Sequence, residues 1–303
     1  MPKASIIIRA KNEERLIGKT LQTVFAQTIK DVETIVVDSG STDRTLDIVR
    51  EFPVKLIQIA PDDFTFGYSL NVGCREASGD YLVLLSAHAV PCDENWLGSL
   101  LRPFQHPLVA GVWGSDHTWA DSVDTLVGEC RRPTVLDVIN YGPGNAVWGF
   151  AAANAAILRK VWQEYHFDEK LIASEDKDWA WRVIRAGYKI AYEPSAAVYH
   201  EHNLSLRQAY RRAWKEHYSY ALVMPELRFG LLDALCGLLQ PPRRGLWRST
   251  SSGPSNRQPF AKVCHLVHRL AVRAMVCWGR YRGIKDGRAI ATMQLKNREI
   301  GPI

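Results

Sequence analysis

Long hydrophobic runs are missing from this chain of 303 residues: no stretch approaches the roughly 20 uninterrupted apolar residues that a helical bilayer span requires. Cysteine is sparse, and the six present (Cys74, Cys92, Cys130, Cys236, Cys264, Cys277) show no C-x-x-C or zinc-ligand spacing. That excludes a disulfide framework and a zinc ribbon, and the thiols read as reduced packing residues. The start, Met1-Pro2-Lys3-Ala4-Ser5, runs directly into Ile6-Ile7-Ile8 without the basic and apolar regions of a secretory leader, which predicts a cytoplasmic chain. Internal repeats are also absent. What is present is ordinary for a globular protein, 47% hydrophobic and 23% charged, so wholesale disorder is excluded.

The formal charge of +6 is unevenly placed. From Glu226 onward there are 14 Lys and Arg against 4 Asp and Glu, a net of +10, so the first 225 residues carry a net of −4. Basicity belongs to the tail, which needs an anionic partner of its own. No recognised nucleic-acid reader motif accompanies it, and nucleic acid is not expected.

Periodicity predicts strands at 4–8, 33–37, 54–59 and from Tyr81, with helices at 15–27, 42–52, 69–77 and 93–104. Strands alternating with helices imply right-handed crossovers and a mostly parallel, nucleotide-binding type of sheet. From Ser115 to Gly144 periodicity fades, and an irregular insert of that length in a compact domain is usually functional or mobile. Helices are then expected near 154–161 and at 175–185, with short extended pieces at 189–192 and 197–199. Residues 240–259, rich in Ser, Pro, Gly and Arg, read as a linker.

The most informative segment is Gly79-Asp80-Tyr81-Leu82-Val83-Leu84-Leu85-Ser86-Ala87-His88-Ala89-Val90-Pro91. Its apolar run reads as a buried central strand with Ser86 and His88 at the carboxyl end, the edge where open α/β sheets bind ligands. After the second strand, Asp38-Ser39-Gly40-Ser41-Thr42-Asp43 suits a base N–H and a ribose or phosphate, although taken singly it is more often a turn with an N-cap.

Taken with Ser5-Ile6-Ile7-Ile8-Arg9-Ala10-Lys11-Asn12-Glu13-Glu14 and Phe64-Thr65-Phe66-Gly67-Tyr68-Ser69-Leu70-Asn71-Val72-Gly73, these segments resemble the nucleotide-sugar glycosyltransferases of family 2. Within that family the chain looks like the bacterial rhamnosyltransferase-like branch, and the resemblance covers roughly the first 220 residues. It implies an α/β fold with a GT-A type, doubly wound, mostly parallel sheet over residues 1–225, followed by a basic helical C-terminal extension at 226–303. It also implies that Asp38 contacts the nucleobase, that Arg9 and Glu13 line the nucleotide pocket, and that Asn71 and Ser86 belong to the donor site. Most of the family carries Asp-x-Asp after the fourth strand, gripping the donor diphosphate through a divalent cation, Mn2+ or Mg2+. Here the motif is Ser86-Ala87-His88. Imidazole ligates Mn2+, although carboxylate is commoner for hard cations, and a protonated His88 would instead hold the phosphates without a metal.

The second half supplies Trp148-Gly149-Phe150-Ala151-Ala152-Ala153-Asn154 and Ser174-Glu175-Asp176-Lys177-Asp178-Trp179. Ser174 suits an N-cap, and acidic residues favour a first helical turn, which accounts for the charges without catalysis. The resemblance assigns more: Asp176 removes the acceptor hydroxyl proton, with Glu175 as its support or an acceptor contact. In Tyr199-His200-Glu201-His202-Asn203 the two histidines face one side of an extended segment and could approach His88. The family often places a further metal or diphosphate ligand here, His200 first and His202 second; surface histidines on a polar loop are the alternative.

The tail carries Val263, Leu266, Val267, Leu270, Ala274, Cys277, Trp278 and Tyr281 at helical spacing, with Lys262, Arg269, Arg273 and Arg280 largely on another face. Such a helix lies on an anionic membrane surface or packs on the domain through the same stripe. The partners expected are therefore a nucleotide-sugar donor, a glycan or lipid-linked acceptor, and an anionic leaflet, which would make the cytoplasmic protein peripheral to the membrane. Two other readings differ in class. A sugar-phosphate nucleotidyltransferase would carry a Gly-rich, Arg-containing phosphate loop after the first strand, which Arg9-Ala10-Lys11-Asn12-Glu13 is not. A degenerate scaffold would account for Ser86-Ala87-His88, and retention of Glu175-Asp176 argues against it.

Overall fold

In a computed structural model of the chain, residues 3–117, 149–200, 205–223, 231 and 259–299 are described. His202, most of the 115–144 insert and the linker up to residue 258 lie outside them. The chain divides into two compact units, Met1–Leu171 with Glu175–Glu201, and Ile172–Ser174 with His202–Ile303.

The first unit is built on strands whose sequence is apolar almost throughout. β1 (Ala4–Ala10), β2 (Val32–Asp38), β3 (Lys55–Gln58) and β4 (Tyr81–Ser86) pair in parallel in the order β3-β2-β1-β4. Ile6, Ile7, Ile8, Ile35, Val36 and Leu82 to Leu84 are fully buried, because helices cover a parallel sheet on both faces. The crossovers carry α1 (Ile17–Phe25), α2 (Thr45–Arg50) and α3 (Phe66–Arg75). Ile17, Leu21 and Val24 recur every three or four residues, so α1 turns one apolar face into the core.

The sheet continues as β7-β6-β8-β5, formed by β5 (Val90–Pro91), β6 (Val109–His117), β7 (Asn154–Leu158) and β8 (Lys189–Tyr199). Here β7 runs antiparallel to both β4 and β6, β5 runs antiparallel to β8, and β6 and β8 are parallel. The sheet is therefore mixed, with parallel pairings in the majority. Between these strands lie α4 (Trp96–Leu101), α5 (Arg159–Glu164) and α6 (Glu175–Arg185).

Two elements differ from the sequence-based expectation. The helix expected near 154–161 is a strand, β7, followed by the first turn of α5. Ala155, Ala156 and Ile157 are good or neutral helix formers, but they sit fully buried between β4 and β6, where tertiary pairing overrides propensity. The two extended pieces at 189–192 and 197–199 are one strand, whose pairing with β6 shifts register between Gly114 and Ser115. β6 was also not anticipated from the sequence, because Gly111 and Gly114 interrupt its apolar pattern.

Asn71, expected at the donor site, makes four hydrogen bonds within the protein. It is 2% exposed, and its amide nitrogen donates to Phe167 O at 2.9 Å and Glu169 Oε1 at 2.8 Å. Its oxygen accepts from Trp162 Nε1 at 3.0 Å and from the Phe167 N–H at 3.1 Å. Its polar atoms are thus engaged within the protein, which ties α3 to the segment after α5.

In the second unit, α7 (Leu206–Val223) packs along α8 (Pro259–Glu299). A Cβ at Gly279, Gly283 or Gly287 would strike the backbone carbonyl of Tyr210, Trp214 or Tyr218, so these glycines let the helix axes approach closely. Trp214 Nε1 also donates to Asp286 Oδ2 at 3.0 Å. That seam joins residues 206–223 to the long tail helix within the second unit. Burial, reinforced by Arg280, pushes His217 down to about 3.

Truncating Asn71 to Ala is expected to lower unfolding stability by about 3 kcal/mol, because buried partners lose their hydrogen bonds. Urea unfolding measures this, and nucleoside-diphosphate affinity of the folded variant should stay unchanged.

Candidate active site

Two loops leave the carboxyl ends of β1 and β2 and bond to each other. Asn12 Oδ1 accepts the Thr42 N–H at 2.8 Å, the Glu13 N–H donates to Thr45 Oγ1 at 2.7 Å, and the Glu14 N–H donates to Asp43 Oδ2 at 3.1 Å. Asp38 is fully buried and accepts from the Gly40 and Ser41 N–H groups at 2.9 and 3.0 Å and from the Ser41 hydroxyl at 2.5 Å. Its carboxylate shapes its own turn. The Asx-turn reading of that motif describes its local role.

The loop from β4 to β5 is tight, closed by the Ala89 N–H donating to Ser86 O at 2.9 Å. Ser86 also holds the neighbouring segment, its N–H donating to Ala153 O at 3.1 Å. His88 projects from this loop, with Nδ1 2.8 Å from Glu13 Oε1 and Nε2 3.2 Å from His200 Nε2. His200 Nδ1 lies 3.6 Å from Asp116 Oδ2. Four elements therefore converge in the order Glu13, His88, His200, Asp116. Of the predicted metal set, His88 and His200 come together, and His202 lies outside the described residues.

Two imidazole nitrogens bound tetrahedrally to one ion at about 2.1 Å stand about 3.4 Å apart. The observed 3.2 Å is close to that spacing, and a carboxylate near each Nδ1 is the usual way of orienting metal-ligating imidazoles. Among the described residues, no group of three or more His, Cys, Asp or Glu is arranged to hold an ion by itself. The histidine pair fits part of a coordination sphere and leaves the rest open.

Arg9, at the end of β1, donates to Glu175 Oε1 at 3.2 Å and to Phe66 O at 3.3 Å, with its guanidinium 5.1 Å from the Phe66 ring centre. Glu175 opens α6 and is 4% exposed. Next to it, Asp176 Oδ2 accepts the Ala152 N–H at 3.0 Å, and Lys177 Nζ lies 3.6 Å away. Ser174, expected as an N-cap, has φ of 65°, in the left-handed region rather than the extended backbone of a cap. The other non-glycine residue with positive φ is Asn12, at 55°, among the described residues. Each precedes a carboxylate of the site, Glu175 or Glu13, and such strain gathers where side chains are aimed for function.

A cavity of about 480 Å³ lies alongside, lined by Trp113, Ser115, Asp116, Ala151, Asn154 and Tyr192 among others. It reaches from Asp116, beside His200, to Ala151, beside the residue that holds Asp176. Asp116 and Phe66 were not singled out as site residues from the sequence. The juxtaposed Asp116-His117 in the polar insert was the only available sign of the former, and Phe66, 38% exposed, shows its position only in the fold.

The family model described as glycosyl transferase family 2 matches residues 5–162. The chain belongs to this family. The O-antigen chain rhamnosyltransferase RfbN of Salmonella typhimurium is 29% identical to this transferase over 226 residues, 69% of this chain and 70% of its own. The O-antigen chain rhamnosyltransferase WbaN of Salmonella anatum is 31% identical over 196 residues, 61% of this chain and 62% of its own. Among solved structures, a mannosyltransferase from Pyrobaculum calidifontis in complex with GDP-Man and Mn2+ has a TM-score of 0.60 at 16% identity, covering 97% of this chain and 88% of its own. S. aureus TarS 1-349 in complex with UDP-GlcNAc has a TM-score of 0.52, covering 97% and 92%. These likenesses establish the GT-A fold.

In this transferase, burial pushes the Glu175 carboxyl up to about 7, and the Asp176 charge adds to the rise against the opposing Arg9. A raised folded value means that the native state binds the proton more tightly than the unfolded chain. The resulting stabilisation is complete below the ordinary value of 4.5 and is lost as pH rises through about 7. Thermal unfolding should therefore show wild type losing stability relative to Glu175→Gln across that window. The rate should fall on the acid side of about 7 as the ion pair with Arg9 is lost, and Glu175→Gln should displace that limb. An unmoved limb would remove Glu175 from the pH response.

Proposed function

We propose that this glycosyltransferase moves a sugar from a nucleotide-diphosphate donor to a hydroxyl of a glycan acceptor, with inversion, in bacterial cell-surface polysaccharide assembly. Two relatives named as O-antigen chain rhamnosyltransferases support the acceptor class. The observation that carries the donor reading is the pair of facing imidazole nitrogens 3.2 Å apart at the carboxyl edge of the sheet, each ring backed by a carboxylate.

The donor diphosphate lies against His88 and His200, with the loops from β1 and β2 receiving the nucleoside. Glu13 and Asp116 hold the two rings and direct both Nε2 atoms to one place. A divalent cation bound there would neutralise the charge that develops on the leaving diphosphate. Imidazole donors suit Mn2+ and softer ions better than Mg2+. The acceptor enters the cavity between Asp116 and Ala151. Asp176 takes the proton from its hydroxyl, held at the rim by the Ala152 N–H, while Glu175 and Arg9 fix the start of α6 behind it. The hydroxyl oxygen forms the new bond at the anomeric carbon as the bond to the diphosphate breaks on the opposite face.

A second reading keeps the same residues without a metal: one protonated imidazole of the pair binds the phosphates directly. The contact of His88 Nδ1 with Glu13 Oε1 at 2.8 Å supports it, since it has the geometry of an imidazolium–carboxylate pair.

Donor hydrolysis and transfer, screened over nucleotide sugars, test both readings. Asp176→Asn should lower kcat about a hundredfold or more with donor affinity retained. Full activity in that variant would exclude the proposed base. His88→Ala and His200→Ala should each abolish turnover. If EDTA also abolishes it and Mn2+ restores it better than Mg2+, the cation reading stands. If EDTA leaves it intact, the imidazole binds the diphosphate itself.

A further inference from the structure

The basic tail takes no part in the reaction described above, and the packing of α8 shows which face it leaves outward. Gly279, Gly283 and Gly287 turn toward α7, and Cys277 and Ile284 are buried. Leu270, Ala274, Trp278, Tyr281, Lys285 and Arg288 follow one another at steps of three or four and share another face. On it Leu270 is 54% and Trp278 47% exposed, and the Trp278 and Tyr281 rings lie 5.4 Å apart. The apolar stripe expected from the sequence is thus divided. Cys277 is buried, while Leu270 and Trp278 are exposed.

We propose that this outward face of α8 docks on an anionic lipid bilayer. Leu270 and Trp278, with the Tyr281 ring against Trp278, put exposed aliphatic and aromatic side chains on one face of the helix. An aromatic and aliphatic patch continued by Lys285 and Arg288 matches the two layers of a leaflet surface, acyl boundary and headgroup. Charge selects an anionic leaflet: α8 carries nine Lys and Arg against two acidic residues, within a tail of net +10. No helix among the described residues is long and apolar enough to span a membrane, so the contact is with the surface.

The test is co-sedimentation of the full chain with phosphatidylcholine vesicles, with and without about 30% phosphatidylglycerol, at low and high salt. Wild type should bind the anionic vesicles at least about tenfold more strongly, with the difference shrinking in salt. Leu270→Ser combined with Trp278→Ser should lose most binding, with the unfolding midpoint kept because both side chains are exposed. Lys285→Glu with Arg288→Glu should weaken binding about fivefold or more per charge and flatten the salt dependence. Equal binding to both vesicle types overturns the proposal, as does wild-type binding by both variants. A dimer that Leu270→Ser with Trp278→Ser dissolves would also overturn it, by making a second copy the occupant.

Discussion

The two-residue antiparallel pairing of β5 with β8 decides what this site contains. Val90 pairs with Tyr199 and Pro91 with Val198, so the loop that carries His88 is drawn back against the end of β8. His200, the next residue, therefore arrives 3.2 Å from an imidazole 112 positions earlier in the chain. Without that pairing the Ser86-Ala87-His88 loop would hold one histidine where the family commonly holds two carboxylates. With it, the edge holds two imidazoles, His88 bonded through Nδ1 to Glu13 and His200 with Asp116 3.6 Å from its Nδ1. The antiparallel placement of β7 beside β4 acts in the same way on the other flank. It sets the start of β7 at the carboxyl end of β4, so Ala152, which holds Asp176, shares that edge.

Charge is managed around these contacts by burial and pairing. Glu175 is removed from water, which favours its neutral form, and Arg9 offsets part of that cost when it ionises. The result couples β1 to the start of α6 through one ion pair. Asp38 and Asn71 show the opposite use of buried polar groups. Their hydrogen bonds end on the protein's own loops, and they stabilise the scaffold that positions the chemistry.

Much of this was legible in the sequence because a parallel strand buried on both faces reads as a continuous apolar run. β1, β2 and β4 and their crossover helices follow from that, and with them the edge on which Ser86 and His88 lie. The approach of His200 to His88 could be anticipated from the period of an extended segment. Four things were hidden for physical reasons. Ala155 to Ile157 fit helix or strand equally until their neighbours are known, and the glycines of β6 obscure its pattern. Asp38 and Asn71 sit in motifs that suit a ligand, and only the fold shows that their side chains also bond within their own turn or to residues far along the chain. Asp116 enters only through the β6–β8 register, which brings it beside Val198 and so near His200.

In the proposed function, Nε2 of His88 and Nε2 of His200 together receive the donor diphosphate, directly or through a cation. Nitrogen-15 NMR of histidine-labelled protein, titrated with a nucleoside diphosphate in the presence of Mg2+ and then Mn2+, observes those two atoms directly. Both Nε2 resonances should shift together on diphosphate addition and broaden together with Mn2+ if the ion is held between them. Saturation with the nucleoside diphosphate while both Nε2 resonances stay unmoved would contradict it.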